Sequence, residues 1–241
     1  MPVLVVIPAR LGSTRLPRKL LQPLGGVPLV VRVAERIQSF DFPWRLVVAV
    51  DSSEIEKVVS GAGFEAILTA PGHPSGTDRI GEVISRAGFA GYDVIVNIQG
   101  DSPFLPREAV LGALEQVDLG FDIGTAAGPL EPEQGLDTTI VKVAVARSGR
   151  AVAFSRQPIA GWDNYRHLGL YCYARSALER LVASEPVPAE RAEGLEQLRA
   201  MEMGLAIGVA RIAAGTGPAV DTEADLAEAR EYWTFMHGVA R

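Results

Sequence analysis

Apolar runs of strand length alternate with amphipathic segments of helix length through the first half of this 241-residue chain. This alternation restricts the fold more than any other feature, because a strand, a helix and a second strand in succession form a βαβ unit with parallel strands. It predicts an α/β fold in which helices flank a mixed, mostly parallel sheet. The predicted elements are strands at 2–7, 45–50, 65–70 and 93–98, and helices at 28–38, 52–63, 75–88 and about 107–117.

The second half of the chain has shorter connections between its apolar segments. Three strand-like stretches lie close together there, which is typical of antiparallel pairing. The predicted elements are strands at 140–146, 151–155, 168–174 and 205–212, and helices near 175–184, 190–203 and 222–236. No repeat and no low-complexity linker interrupts the pattern, so we expect a single domain over 1–241 with an inserted lobe at about 125–205.

Composition excludes several classes of protein. The formal net charge is −6, which argues against the broad basic face that nucleic-acid binding needs. The apolar runs are far shorter than the roughly 20 residues of a membrane span, and a single cysteine, Cys172, cannot build a disulfide framework. We therefore expect a cytoplasmic globular protein that binds neither membranes nor nucleic acids.

The segment "IPARLGSTRLPRKL" (7–20) is strongly basic although the chain is acidic. It contains Arg10, Arg15, Arg18 and Lys19 and no acidic residue. It lies between the first strand and the first helix, where open α/β sheets bind ligands. Arginine forks and a lysine point charge suit a polyphosphate there, and the alternative is a solvated loop with surface salt bridges.

Two other phosphate-binding motifs are ruled out. No G-x-x-x-x-G-K-[ST] sequence occurs, which excludes a P-loop. "GAGFEA" (61–66) has the spacing of a dinucleotide fingerprint, but it follows a predicted helix instead of a strand, so it indicates the end of that helix.

Two aspartates are candidate magnesium ligands. Asp101 in "NIQGDSP" (97–103) comes just after a predicted strand, and Asp221 in "AVDTEADL" (219–226) just before a predicted helix. Mg²⁺ takes oxygen ligands and often combines one or two carboxylates with substrate phosphates. The alternatives are that Asp101 caps a turn and that Asp221 only favours a helix N-terminus beside a capping pair.

The segment "HPSGTDR" (73–79) enters a predicted helix. Ser75, Gly76 and Thr77 are placed either to face a nucleobase or to cap the helix. Arg79 would lie in the first helical turn, where a cation is mildly unfavourable, so we expect an anionic partner for it. His167 in "RHLGLY" is one of three histidines, and a structural role is the alternative for it.

Together these stretches resemble the CMP-Kdo synthetases, the cytidylyltransferases that activate 3-deoxy-manno-octulosonate (Kdo). The family pattern IPAR-x-x-STRLP-G-K-x-L appears as "IPARLGSTRLPRKL", H-x-SGT-[ED]-R as "HPSGTDR" and N-x-QGDEP as "NIQGDSP". FSR-x-x-IP, HLGIYGYR, EQLR and GVDTPEDL appear as "FSRQPIA", "HLGLYCYAR", "EQLR" (196–199) and "AVDTEADL". The seven motifs occur in the family's order from residue 7 to 226.

The resemblance implies a Rossmann-like nucleotidyltransferase fold, CTP and Kdo as substrates, Mg²⁺ as cofactor, a homodimer formed through the inserted lobe, and a role in lipopolysaccharide synthesis. The positions that match the family motifs imply that the catalytic residues are Lys19, Arg10, Arg15 and Asp101. Nucleotide binding falls to Pro8, Ala9, Arg10, Arg15, Lys19, Ser75 and Gly76, and magnesium binding to Asp101 and Asp221. The residues that the resemblance implies for binding the sugar acid are Arg79, Gln99, Arg156, His167, Tyr171, Glu196 and Gln197.

The chain departs from the family pattern at several positions. Arg18 replaces the glycine of the basic loop, which makes it either a fourth phosphate contact or a solvent-facing side chain. Ser102 replaces a glutamate beside Asp101. Ala160 and Cys172 replace a proline and a glycine near the sugar motifs, which leaves another keto-sugar acid, such as 8-amino-Kdo or a sialate, as an alternative acceptor. A nucleotide-binding module without catalysis is the remaining alternative.

Overall fold

A computed structural model describes residues 1–213 and 215–238. The chain divides into two compact units. The terminal unit comprises Pro2–Tyr92, Asn97–Leu105 and the chain from Thr216 onward, and the middle unit comprises Asp93–Val96 and Pro106–Gly215. The single domain with an inserted lobe at 125–205 stays a prediction.

The described residues contain eleven strands and eight α-helices. The strands are β1 Val3–Ala9, β2 Pro23–Leu24, β3 Val27–Pro28, β4 Trp44–Val50, β5 Glu65–Leu68, β6 Val94–Asn97, β7 Ile123–Gly128, β8 Lys142–Val145, β9 Ala151–Ser155, β10 Asn164–Ala174 and β11 Ile207–Arg211. The helices are α1 Leu29–Gln38, α2 Ser53–Gly61, α3 Gly76–Ser85, α4 Arg107–Asp118, α5 Arg175–Val182, α6 Pro188–Glu193, α7 Gln197–Glu202 and α8 Glu223–His237.

The terminal unit contains a parallel arrangement of β1, β4 and β5. Val5 is paired with Leu46, and Val48 is paired with Ala66. All seven residues of β1 are buried, as expected for a strand covered on both faces. Because these strands are parallel, the loops that follow them begin at the same edge, and the basic loop follows β1 there.

The C-terminal helix α8 is fastened to the hairpin of β2 and β3. Arg230 donates from Nε to the carbonyl oxygen of Pro23 at 3.2 Å, and the guanidinium of Arg32 lies 4.2 Å from the centre of the Trp233 ring. Gly25, at φ +56°, lies so close to Trp233 that a Cβ atom would overlap the indole. These contacts hold the second half of α8, the helix that follows Asp221, against the hairpin and α1.

The middle unit is mostly antiparallel. β10 pairs with β7 and β8, β8 pairs with β9, and β11 lies parallel to β7. Helix α4 packs on β7 so closely that a Cβ atom at Gly124 would overlap the carbonyl oxygen of Ala113. A bulge interrupts β10 between His167 and Tyr171, with Gly169 at φ +69°.

The predicted α/β class is confirmed, and so is the antiparallel pairing in the second half. The helix predicted over 190–203 is wrong, because Gly194 at φ +65° ends α6 and a second helix, α7, follows. Strand β7 has no counterpart in the prediction, and neither does the β2–β3 hairpin. None of the helices in the described ranges combines the length and hydropathy that crossing a membrane requires.

Candidate active site

Lys19 lies at the centre of a charged cluster in the terminal unit. Its Nζ donates to Asp101 Oδ2 at 2.5 Å and to Asp221 Oδ1 at 2.9 Å. Arg15 reaches the same oxygen of Asp221 at 3.0 Å. The Lys19 side chain is only 14% exposed, whereas that of Arg15 is 62% exposed. The fold therefore brings together four residues that the sequence placed at the phosphates or the metal.

Local hydrogen bonds hold the two aspartates in place. The backbone N–H of Val220 donates to the carbonyl oxygen of Asp101 at 3.0 Å, which ties the two aspartate segments together. Thr222 caps α8 by accepting from the N–H of Asp225, and Asp225 accepts from the N–H groups of Asp221 and Thr222. The predicted capping pair is confirmed, and it leaves the side chain of Asp221 free to contact Lys19.

The pKa values of Asp221 and Lys19 both shift in the direction that favours their charged forms. Burial alone would raise the pKa of Asp221, but its hydrogen bond with Lys19 and the charges of Lys19 and Arg15 outweigh burial and lower that pKa. Burial opposes the charged form of Lys19 in the same way, yet the two aspartates raise its pKa. The result is a partly buried ammonium that two carboxylates stabilise.

The arrangement fits a magnesium site on the chemistry of its donors. Asp101 and Asp221 both direct a carboxylate oxygen at one cation, the Lys19 ammonium, so these oxygens lie no farther apart than the sum of their distances to it. Mg²⁺ needs few protein ligands where substrate phosphates supply others. No group of three or more His, Cys, Asp or Glu residues in the described ranges is arranged to hold a metal.

Arg18 does not point to the other basic residues. It adopts a left-handed conformation at φ 54°, which explains why a glycine suits this position in the resembling family. Its exposed guanidinium forms an ion pair with Glu54 in α2. An exposed ion pair of this kind agrees with the alternative of a solvent-facing Arg18 in a loop with surface salt bridges.

The predicted nucleobase segment lies against the end of β1. A Cβ atom added to Gly76 would lie 3.1 Å from Pro8 Cγ, so the backbone of Gly76 packs directly on that side chain. Ser75 caps α3, since its Oγ accepts from the N–H of Asp78 at 3.1 Å and donates to the Asp78 carboxylate. Ala9 is buried in β1, and Arg10 just after it is exposed. The capping alternative for Ser75 is thus observed, beside the close approach to Pro8.

Arg79 and Gln99, both assigned to the sugar acid, lie in the terminal unit with partners of their own. Arg79 is 2% exposed and donates to Thr69 Oγ1 and to the carbonyl oxygen of Ala70. Burial lowers its pKa, and the nearest opposing charge is Asp51, 3.9 Å away. Gln99 donates to Asn97 at 3.4 Å.

Asp51 is a residue that the sequence reasoning did not select. Its Oδ1 accepts from the N–H of Leu11 in the basic loop at 2.9 Å. It follows the apolar strand β4 directly, which is the same signal that selected Asp101, and the rule applied there would have found it.

The middle unit holds the other sugar-acid candidates. Arg156 is fixed by backbone carbonyls: Nε donates to Glu193 at 2.9 Å and Nη1 to Thr138 at 3.1 Å. The backbone N–H of Arg156 also donates to the Glu193 carboxylate at 3.2 Å. Lys142, fully buried, also supports this segment by donating to the carbonyl oxygen of Arg156 at 2.9 Å.

His167 and Gln197 are buried in this unit, and Tyr171 is partly buried. Burial lowers the pKa of His167 to about 4 and raises that of Tyr171 well above its ordinary value. The two rings lie 5.3 Å apart, and the charge of Glu196 contributes to the shift of Tyr171. Within the described residues, Nε2 of Gln197 is buried without a hydrogen-bond partner.

Comparisons with known proteins place the chain in a family. The cytidylyltransferase family model matches residues 4–207. A 3-deoxy-manno-octulosonate cytidylyltransferase of Gemmatimonas aurantiaca is 44% identical over 249 residues, covering 98% of this chain and 96% of the relative. One from Halorhodospira halophila is 42% identical, covering 92% and 93%.

Solved structures share the fold. A CMP:2-keto-3-deoxy-manno-octonic acid synthetase complexed with CTP superposes with a TM-score of 0.90 at 34% identity, covering 98% of this chain and 100% of that one. A cytidylyltransferase from Leptospira borgpetersenii, at 18% identity and a TM-score of 0.60, shares the fold alone; it covers 93% of this chain and 83% of that one. A chain with this fold and this charged cluster is a nucleotidyltransferase. It belongs to the cytidylyltransferase family, within the group of the 3-deoxy-manno-octulosonate cytidylyltransferases.

Proposed function

We propose that this chain transfers a cytidylyl group from CTP to Kdo and so forms CMP-Kdo and pyrophosphate. The observation that carries the proposal is Lys19, held between Asp101 and Asp221 with Arg15 beside them, at the edge of the sheet where β1 ends. The names of the similar proteins support the choice of nucleotide and acceptor.

The terminal unit binds the nucleotide in this proposal. Arg10, Arg15 and Lys19 hold the triphosphate, because forked guanidinium groups and an ammonium together neutralise its charge. The cytosine lies against Ser75 and Gly76 and the adjoining Pro8 and Ala9, where the close packing of Gly76 on Pro8 brings the two segments together.

Asp101 and Asp221 would hold Mg²⁺. When bound, Mg²⁺ supplies positive charge to the phosphate oxygens and lowers the barrier to displacement. Lys19, which lies between the two carboxylates, would be placed to contact a phosphate of the nucleotide beside such an ion.

The reaction is an in-line displacement in this proposal. The anomeric hydroxyl oxygen of the sugar acid forms a bond to the α-phosphorus of CTP, the bond to the β-phosphate oxygen breaks, and the hydroxyl proton leaves to solvent. The protein contributes position and charge: Lys19, Arg10 and Arg15 stabilise the charge that develops on the departing pyrophosphate.

The sugar acid is assigned to the residues that the resemblance implies. In the middle unit, Arg156 offers a guanidinium that donates hydrogen bonds to the uncharged backbone carbonyl groups of Glu193 and Thr138. His167, Tyr171, Glu196 and Gln197 lie in the same unit, and the unpartnered Nε2 of Gln197 is a donor available to a polar ligand. Arg79 and Gln99 remain assigned to the sugar acid as a prediction.

Release of pyrophosphate tests the proposal. The protein with CTP, Kdo and Mg²⁺ is expected to release pyrophosphate, and a panel with 8-amino-Kdo and a sialate decides the acceptor. Asp101→Asn should lower kcat about a hundredfold, the typical effect of one lost electrostatic contact. The matched control is Asp118→Asn, an exposed aspartate at the end of α4. Normal turnover by Asp101→Asn would refute the role of this carboxylate.

We also propose a homodimer in the cytoplasm, where CTP is made. The resemblance is the ground for this dimer, and Leu136 and Trp162, which are 80% and 45% exposed in the middle unit, are apolar side chains that a partner chain would cover. Light scattering after size-exclusion chromatography should give twice the chain mass, and a monomer mass at assay concentration would refute the dimer.

A further inference from the structure

A buried hydroxyl beside His167 controls the hydrogen bonding of its ring. Thr125 lies on β7, is fully buried, and its Oγ1 lies 2.9 Å from His167 Nε2 and 2.6 Å from the carbonyl oxygen of Leu170. The bulge at Gly169 makes this possible, because it brings both partners on β10 to one hydroxyl.

Thr125 has a single hydroxyl proton, so it can donate only one of its two hydrogen bonds. A carbonyl oxygen only accepts, so Thr125 gives its single hydroxyl proton to Leu170. The remaining contact of Thr125 is with Nε2, and it forms only if the ring nitrogen carries the proton. His167 is therefore protonated at Nε2 in this arrangement.

The other ring nitrogen must then be unprotonated, because a cationic ring is unfavourable here. Burial lowers the pKa of His167 to about 4. Phe154 presents its ring at 5.1 Å with an interplanar angle of 79°, and Tyr171, the titratable neighbour on the same strand, stays neutral because burial raises its pKa. Nδ1 is left as a hydrogen-bond acceptor.

We propose that Thr125 is a positioning residue that fixes His167 as the Nε2–H tautomer, so that Nδ1 accepts a hydrogen bond from a hydroxyl group of the sugar acid. The identity of the ligand rests on the proposed function. The proposal gives His167 and Arg156 different tasks in binding it. His167 recognises a hydroxyl and does not neutralise the carboxylate, which is left to a cation such as Arg156.

The ring can be observed directly and without substrate. The chain has three histidines, at 73, 167 and 237, so ¹⁵N NMR of the labelled protein resolves the rings, and His167→Gln assigns the signal. At pH 7 we expect Nε2 protonated and Nδ1 unprotonated for His167. A proton on Nδ1, or on both nitrogens, would overturn the proposal.

Two variants test the consequence for the substrate. Thr125→Val keeps the shape and removes the hydroxyl, whereas Thr125→Ser keeps the hydroxyl. We expect the valine variant to raise KM for the sugar acid about tenfold, to leave KM for CTP unchanged and to lose the single tautomer, and the serine variant to restore all three. An unchanged KM for the sugar acid in Thr125→Val would refute the role of Thr125.

The outcome is separable from that of the proposed function. A wild-type protein that releases no pyrophosphate from CTP and any sugar acid would refute the proposed function. The NMR spectrum would still show which ring nitrogen of His167 carries the proton, and so whether Thr125 fixes the tautomer.

Discussion

Replacing Lys19 by methionine tests whether the charged cluster stabilises the fold. The change keeps most of the aliphatic stem and removes the ammonium that accounts for two hydrogen bonds, at 2.5 Å to Asp101 and 2.9 Å to Asp221. The two carboxylates then face each other with only Arg15 left as a partner of Asp221.

The magnitude follows from the exposure of the partners. A hydrogen bond between charged groups contributes about 1.5–3 kcal/mol, and solvent screening reduces the bond to Asp221, whose side chain is 44% exposed. Allowing for this, the free energy of unfolding should fall by about 2–3 kcal/mol. For a chain of this size that lowers Tm by about 4–12 °C.

Scanning calorimetry at pH 7 in EDTA measures the difference. Lys57→Met is the matched control, because Lys57 is exposed on α2 and the chain has only three lysines. The effect should shrink at low pH: the pKa of Asp221 is lowered in the fold, so its stabilising contribution is present above its ordinary pKa of 3.8 and is lost as pH falls below that value. A Tm for Lys19→Met equal to that of the control would refute the reasoning.

Three further predictions concern other charges. Arg18→Gly should leave KM for CTP within about twofold of wild type, because Arg18 pairs with Glu54 and glycine readily adopts φ 54°. A clearly raised KM would instead show that Arg18 contacts a phosphate. In urea unfolding, the free energy of unfolding should fall by about 3 kcal/mol as pH falls from 6.5 to 4. Burial lowers the pKa of His167 from 6.5 to about 4, so the unfolded chain takes up the proton first. The same dependence of stability on pH in His167→Gln would contradict this. Glu82, whose hydrogen bonds with His73, Ala70 and Arg86 outweigh burial and lower its pKa to about 2, stabilises the fold above pH 4.5. Glu82→Gln should therefore lose stability at pH 7 and lose less at pH 3, and a pH-independent difference would count against it.

The fold was predictable where local patterns were strong. Apart from the short β2–β3 hairpin, the strands and α-helices of the first half follow from apolar periodicity and from caps such as Ser52 and Ser75. Strand β7, "IGTAAG", was not predictable, because glycine and alanine have low strand propensity and the segment is a strand only through its pairing with β10 and β11. The break between α6 and α7 depends on one left-handed glycine, Gly194, within a helical pattern.

The sequence predicted which residues form the candidate site better than it predicted the contacts between them. Position at strand and helix ends selected Asp101 and Asp221, and charge selected Lys19. Sequence alone did not show that Lys19 joins both aspartates, because that contact depends on the path of the whole chain. Thr125 carries no sequence signal, since a threonine in a buried strand is ordinary until its neighbours are known.

The tie between Lys19 and Asp221 also has a consequence for protein synthesis. Because the terminal unit is discontinuous, the ribosome delivers Lys19 and Asp101 first, then nearly all of the middle unit, and Asp221 only afterwards. At about 5–20 residues per second, Asp221 follows Asp101 by roughly 6–24 s. During that interval the nascent chain carries a basic loop with one of its two aspartate partners, and a prematurely terminated chain never completes the cluster.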